Sequence, residues 1–74
     1  MDNAKITNRL KILRAERNLT QAQLADAVGV TRSTINYLEA NEYLPSLPLA
    51  LRLAKYFTTS VEEIFTINET IKES

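Results

Sequence analysis

The sequence contains no cysteine and no histidine among its 74 residues. Without cysteine it can form neither a disulfide nor a thiolate zinc site. Without histidine it lacks the commonest general base and the commonest transition-metal ligand. It has a single glycine, so no glycine-rich loop can cradle a phosphate, and its carboxylates form no cluster. These absences argue against an enzyme and against a bound metal or other cofactor.

Long hydrophobic runs are also missing. No stretch of apolar residues has the length needed to cross a bilayer, and the N-terminal segment has no apolar core like that of a signal peptide. The hydrophobic content of 45% is nevertheless enough for a compact core. We therefore expect a single domain over residues 1–74 in a reducing cytoplasm, with no effector domain after it.

Neither sign of charge dominates, since nine basic residues balance nine acidic ones. The two signs are unevenly distributed, however. Residues 1–55 hold eight basic and five acidic side chains, a net charge of +3, and residues 56–74 hold one basic and four acidic, a net charge of −3. The basic first part is a weak indication of a nucleic-acid partner, whereas overall neutrality slightly favours a protein partner.

Capping residues divide the chain into five predicted helices. The first covers residues 8–17. Thr20 and Gln23 form a capping box at the start of the second, which ends at Gly29 because glycine accepts a positive φ at little cost. Thr31 caps a third helix that ends near Asn41.

Two further helices follow the loop over residues 42–45. The fourth begins after Ser46, carries Pro48 in its first turn and runs to about Phe57. The fifth begins at Ser60, where S-V-E-E fits a capping box, and runs to about Phe65. Residues 66–74 are either a short strand or a frayed tail. The sequence thus predicts an all-α domain with its core within residues 6–65.

Apolar residues at helical spacing define the candidate core. The predicted core residues are Leu24, Ala25, Val28, Val30, Ile35, Leu38, Leu51, Leu53, Ala54, Phe57, Val61 and Ile64. Leu49 and Tyr56 are harder to place inside so small a domain. We interpret them as a dimer surface, with completion of the domain's own core as the alternative.

The third predicted helix has a polar outer face that differs from an ordinary solvent-exposed surface. Ile35 and Leu38 fall on its inner arc, and the outer arc carries Arg32, Ser33, Asn36 and Tyr37. A plain surface helix would more often carry Glu and Lys four residues apart. Arginine can donate two hydrogen bonds to guanine, and asparagine can pair with adenine, so this face is suited to base edges in a major groove.

Short connections and helix starts support the same interpretation. The turn between the second and third helices is so short that the two helices must cross steeply. Their N-termini present backbone N–H groups and the positive end of the helix dipole, both of which favour phosphate. Gln21 lies where its side-chain amide could donate to a phosphate.

At these residues the sequence resembles the helix-turn-helix domain of the phage-repressor/Cro type, the XRE family. The matching motifs are N-R-L-K-I-L-R at 8–14, L-T-Q-A-Q-L-A at 19–25, V-G-V at 28–30, T-I-N-Y-L-E at 34–39, P-S-L at 45–47, A-L-R-L-A-K-Y-F at 50–57 and S-V-E-E-I-F at 60–65. The resemblance implies a five-helix lambda-repressor-like fold with the helix-turn-helix over residues 20–39. It also implies a homodimeric regulator of transcription, expected to be a repressor, that binds a palindromic double-stranded DNA operator.

The resemblance also implies roles for individual residues. Arg32, Ser33, Asn36 and Tyr37 would read bases or contact the groove. Phosphate contacts would come from Gln21, Thr31, Asn41 and Tyr43. Arg14 and Glu39 would form a structural salt bridge between the first and third helices. A short strand over residues 5–7 would pair with one over residues 65–67, as in some small relatives.

One departure from the family pattern weakens the expectation of tight DNA binding. The loop after the third helix usually reads Gly-Lys, and here it reads Asn41-Glu42. Asparagine can replace glycine in the left-handed conformation, but glutamate removes a cation from the phosphate side. A protein-binding module, such as an antitoxin or an adaptor that uses the same fold, is therefore the alternative function.

Overall fold

The computed structural model describes residues 5–68 of the chain. Within them the elements follow the order β1 (Lys5–Asn8), α1 (Leu10–Glu16), α2 (Gln21–Val28), α3 (Arg32–Glu39), α4 (Leu47–Tyr56), α5 (Val61–Ile64) and β2 (Phe65–Asn68). The predicted five-helix fold with a short terminal two-stranded element is confirmed. No helix among these residues is long and apolar enough to span a membrane.

The two strands pair with each other and so join the beginning and the end of the described chain. β1 and β2 pair in an antiparallel register that places Ile6 opposite Ile67 and Asn8 opposite Phe65. The strand expected over residues 65–67 is thus present as Phe65–Asn68, and residues 69–74 of the predicted tail lie outside the described residues. The prediction that the first helix begins at residue 8 was wrong, because Asn8 belongs to β1 and its side-chain oxygen accepts the backbone N–H of Leu10 at 3.0 Å.

The predicted caps start four of the helices. Thr20 and Gln23 form the reciprocal capping box, while Thr31, Ser46 and Ser60 each accept the backbone N–H three residues ahead. At Ser60 the structure has the hydrogen bond from the Glu63 N–H to the serine hydroxyl, which is one half of the predicted capping box. The helix boundaries are therefore set locally, by hydroxyl oxygens that satisfy otherwise exposed helix N–H groups.

Left-handed residues end several helices. Gly29 has a φ of +78° and turns the chain between α2 and α3, where the N–H of Val30 reaches back to the carbonyl of Ala25 at 3.0 Å. Asn18 and Asn41 follow α1 and α3 with φ values of 55° and 61°. Thr58, just after α4, also has a positive φ of 56°, a position for which the sequence gives no warning.

One apolar core joins all five helices. Its fully buried side chains are Leu10, Leu24, Ile35, Leu38, Leu53 and Ile64. Leu51, predicted as core, is instead exposed, and Leu49, predicted as dimer surface, is buried in the core. The two errors have one cause: residues two apart on a helix point about 200° apart, so α4 cannot bury both.

Tyr56, the other predicted dimer residue, is half-buried within the domain. Its ring packs edge-on against Phe57 at 5.1 Å between ring centroids. The guanidinium of Arg17 lies over the Tyr56 ring at 5.7 Å and donates to the Tyr56 carbonyl at 3.1 Å. The alternative interpretation, that both residues complete the domain's own core, is thus the one that the structure favours.

Candidate nucleic-acid interface

The outer face of α3 brings the four predicted groove residues together. Ile35 and Leu38 are fully buried, and this fixes the rotation of the helix about its axis. The opposite side of α3 then exposes Arg32, Ser33, Asn36 and Tyr37. This face combines guanidinium, hydroxyl, amide and phenol groups with no acidic side chain among them.

The starts of α2 and α3 offer backbone donors beside this face. Thr20 and Thr31 each satisfy the third N–H of their helix, through hydrogen bonds of 3.0 and 3.2 Å. The N–H groups of the first two residues of each helix have no acceptor within their own helix. The Thr31 hydroxyl also shares a hydrogen bond with the Thr34 hydroxyl at 3.0 Å. The Thr31 side chain therefore serves as a helix cap, and the backbone N–H groups are the donors that could face a phosphate.

Gln21 links α2 to α3 instead of pointing into solvent. Its side-chain nitrogen donates to Asn36 Oδ1 at 3.3 Å and to Glu39 Oε1 at 3.1 Å. An amide nitrogen has two hydrogens, and both are engaged by these bonds. The prediction that the Gln21 side chain donates to phosphate does not match this geometry, whereas its backbone N–H remains at the helix start.

Glu39 is the centre of the predicted salt bridge. Arg14 holds it with two hydrogen bonds, from Nε to Oε2 at 2.7 Å and from a terminal nitrogen to Oε1 at 3.1 Å. Arg14 donates a third bond to the carbonyl of Leu19 at 2.8 Å. The side chain of Glu39 is only 6% exposed, so the pair is well shielded from water.

The shielding from water and the hydrogen bonds shift the pKa of both Glu39 and Arg14. Burial alone would raise the pKa of Glu39, but the hydrogen bonds from Arg14 and then from Gln21 outweigh it and hold the pKa below its ordinary value. The hydrogen bond to Glu39 raises the pKa of Arg14. The ionised pair thus anchors α3 to α1, and Gln21 extends the anchor to Asn36 on the exposed face.

Lys11 is a candidate that the sequence analysis did not single out. It lines a cleft of about 220 Å³ together with Arg14, Gln21, Asn36, Glu39 and Ala40. Its charge also contributes to lowering the pKa of Glu39. A signal was present in the sequence, because Lys11 precedes Arg14 by one helical turn and therefore shares its side of α1.

Two predicted phosphate residues lie at the other end of α3. Asn41 and Tyr43 are both exposed in the loop after the helix. Asn41 Oδ1 accepts a hydrogen bond from the side-chain nitrogen of Asn8 at 3.0 Å. Asn8, which the sequence analysis did not single out, thereby connects the terminal strands to the end of the candidate interface.

Comparison with known proteins matches this architecture to one family. The family model described as helix-turn-helix matches residues 10–64. An uncharacterised HTH-type transcriptional regulator of Archaeoglobus fulgidus is 48% identical over 61 residues, which cover 82% of this chain and 86% of the relative. Another from Methanocaldococcus jannaschii is 50% identical over 58 residues, covering 78% of this chain and 88% of the relative.

A solved structure agrees with the sequence relatives. The crystal structure of the transcriptional regulator VanUg superimposes with a TM-score of 0.75 at 27% identity, and the match covers 95% of this chain and 93% of VanUg. The family model, the relatives and the fold thus agree over most of the chain. The chain belongs to the phage-repressor/Cro-type (XRE) helix-turn-helix family of transcriptional regulators.

Proposed function

We propose that the protein is a homodimeric transcriptional repressor that binds double-stranded DNA sequence-specifically, with α3 in the major groove. The observation that carries the proposal is the exposed row of Arg32, Ser33, Asn36 and Tyr37 on a helix whose rotation is fixed by buried Ile35 and Leu38. Members of this family are transcriptional regulators and not enzymes. A repressor that occupies a promoter needs no chemistry beyond exclusion of other proteins.

Each groove residue is proposed to read a chemically distinct feature. Arg32 would donate two hydrogen bonds to the O6 and N7 atoms of guanine. Gln21 already donates to Asn36 Oδ1, which turns the Asn36 nitrogen outward as a donor and leaves one lone pair of the oxygen for adenine N6. Ser33 would contact a base edge or phosphate, and the Tyr37 ring a thymine methyl group.

Phosphate contacts are proposed at both ends of this row. The backbone N–H groups at the starts of α2 and α3, next to Gln21 and Thr31, would hold one strand together with Lys11. Asn41 and Tyr43 would contact the backbone beyond the other end of α3. Few cations take part, so we expect a modest dependence of affinity on salt.

Two copies of the domain would read a palindromic operator. Two-fold symmetry places the recognition helices on half-sites about one helical turn, roughly 10 bp, apart. Pairing also doubles the basic surface that faces the duplex. Such a DNA partner would place the protein on the nucleoid, in the cytoplasm.

A binding selection from random duplex DNA tests the proposal. The wild-type protein should enrich an inverted repeat, and Arg32→Ala should relax the preference at one position in each half-site, with a loss of about 10-fold or more in affinity. Arg52→Ala is the matched control, because Arg52 is an exposed arginine on α4 and not on the α3 face. No enrichment by the folded wild-type protein would overturn the proposal.

The alternative function is a protein-binding module, such as an antitoxin or adaptor. It is favoured by the exposed Glu42 beside the end of α3 and by the net charge of zero. Titration of DNA binding against salt separates the two functions. DNA binding must release counterions and weaken as salt rises, whereas a protein-binding module would show no specific DNA complex at any salt concentration.

A further inference from the structure

α4 and the loop before it carry a row of leucines that the domain does not bury. Leu44, Leu47 and Leu51 are 63%, 69% and 53% exposed. We call these three residues the leucine row. Leu47 and Leu51 are one helical turn apart on the same side of α4, and Leu44 leads into them from the loop. Single exposed leucines are common, whereas neighbouring exposed apolar side chains that form a patch mark an interaction surface.

The domain's own packing cannot account for this row. α4 already places Leu49, Leu53 and Ala54 in the core, and a ten-residue helix has only one face toward it. The leucine row lies on another side of the helix, so nothing within residues 5–68 covers it. A partner that covers this row would therefore come from outside residues 5–68.

We propose that the leucine row is the homodimer surface, occupied by the leucine row of a second copy. This inference rests on the proposed function, which requires two copies related by a two-fold axis. A two-fold interface brings identical patches together, and an unbroken row of leucines is complementary to itself. With the axis near the middle of α4, Leu47 of each copy packs against Leu51 of the other.

The charges that flank the row favour an antiparallel arrangement of the two α4 helices. Glu42 lies before the row, and Lys55 follows it on α4, and both side chains are exposed. Antiparallel helices place the acidic end of one copy beside the basic end of the other, and do so twice per dimer. A parallel arrangement would place like charges together.

Of the two basic residues on α4, Lys55 and not Arg52 lies on the side of the helix that carries the leucine row. At about 100° per residue, Lys55 lies about 40° around the axis from Leu51, whereas Arg52 lies about 100° away. Arg52 and Lys55 both line a cleft with Asp26 at the end of α2, so the distinction between them rests on their angular positions around α4. The substitution of Glu42 for the family's usual lysine therefore acquires a reason, since it pairs with Lys55 across the dimer.

Sedimentation equilibrium of apolar-to-acidic variants tests the surface. The wild-type chain should sediment as a dimer, and Leu47→Glu and Leu51→Glu should sediment near the 8.4 kDa of one chain. Ile12→Glu is the control, because Ile12 is also about half exposed but lies on α1, and it should leave the dimer intact. Circular dichroism should show the same helical content in all variants, and a dimer that persists in both leucine variants would overturn the proposal.

Charge reversal tests the orientation. Glu42→Lys should weaken dimerisation by about 10-fold, because two exposed ion pairs are replaced by repulsion. Adding Lys55→Glu should restore most of the loss, whereas adding Arg52→Glu should not. Equal effects of the Lys55 and Arg52 reversals would overturn the antiparallel arrangement.

The DNA selection separates failure of this surface from failure of the proposed function. If the wild type enriches an inverted repeat and Leu47→Glu still binds it as a cooperative pair, the surface is wrong and the DNA-binding function stands. If Leu47→Glu keeps the base preference of a half-site but loses cooperative binding, the surface is supported. If the folded wild type enriches no DNA while the leucine variants become monomeric, the dimer surface stands and the proposed function falls.

Discussion

The side-chain nitrogen of Asn8 donates a hydrogen bond to the backbone carbonyl oxygen of Leu38 at 2.7 Å, across 30 positions of sequence. The same nitrogen donates to Asn41 Oδ1, and Asn8 Oδ1 accepts from the N–H of Leu10. One amide thus joins the first strand, the start of α1 and the end of α3. The carbonyl of Leu38, in the last turn of α3, also accepts the backbone N–H of Asn41 at 3.0 Å, so Asn8 supplies a second donor to it.

We expect Asn8→Ala to destabilise the protein by about 2 kcal/mol, because it removes these three hydrogen bonds and deprives the partly buried backbone N–H of Leu10 of its side-chain acceptor. Asn68→Ala is the matched control. Asn68 also lies in the terminal sheet and donates to Thr7 at 3.1 Å, but in an exposed position, so it should cost less than about 0.5 kcal/mol. Urea unfolding followed by circular dichroism measures both, and equal losses would contradict the role assigned to Asn8.

The Arg14–Glu39 pair should make stability depend on acid pH. The pKa of Glu39 is lowered in the folded state, so the ionised carboxylate stabilises the fold above its unfolded pKa of about 4.3. This stabilisation is lost as pH falls through the lower folded pKa. We expect Glu39→Gln to cost about 3 kcal/mol at pH 7, where it leaves Arg14 without its charged partner.

The pH dependence itself provides the check on that prediction. The difference in unfolding free energy between wild type and Glu39→Gln should shrink as the pH is lowered from 7 to 3. Glu16→Gln, on the exposed side of α1, serves as the control and should leave the acid limb of the wild-type curve unchanged. A difference that stays constant across this range would show that the substitution acts through packing and not through charge.

Gln21 should act on DNA specificity through Asn36, provided that the proposed function holds. Gln21→Leu removes the hydrogen bond that orients the Asn36 amide, so the preference at the Asn36 base should fall by about 5-fold. The double variant Gln21→Leu, Asn36→Ala should be no less specific at that base than Asn36→Ala alone. Additive losses, measured by competition between matched and mismatched duplexes, would assign Gln21 an independent contact.

Thr58 has a backbone conformation that suits its side chain poorly. Its φ of 56° places a β-branched residue in the left-handed region, where asparagine or glycine is favoured. We expect Thr58→Asn to stabilise the protein by about 1 kcal/mol. The thermal midpoint checks this, with Thr58→Val as the companion variant that keeps the branch and should give no gain.

Much of the fold could be predicted because its signals are local. Thr20 with Gln23, and Thr31 and Ser46 ahead of their helices, all act within one turn of the chain, and each capped the helix that the sequence assigned to it. Gly29, Asn18 and Asn41 likewise took the left-handed conformation that their residue types favour. The predictions that were wrong concern Leu49, Leu51 and Asn8, because the environment of each is set by elements distant in the sequence.

The sequence by itself determined the helix starts, the turn at Gly29 and the polar character of the α3 face, because hydroxyl caps, glycine and helical periodicity need only neighbouring residues. Tertiary structure alone decided which leucines of α4 are buried, since that depends on the direction from which the other helices approach. It also decided that Gln21 bonds to Asn36 and Glu39 and that Asn8 reaches Leu38. Those partners lie 15 or more positions apart in the chain, and only the packed core brings them within hydrogen-bonding distance.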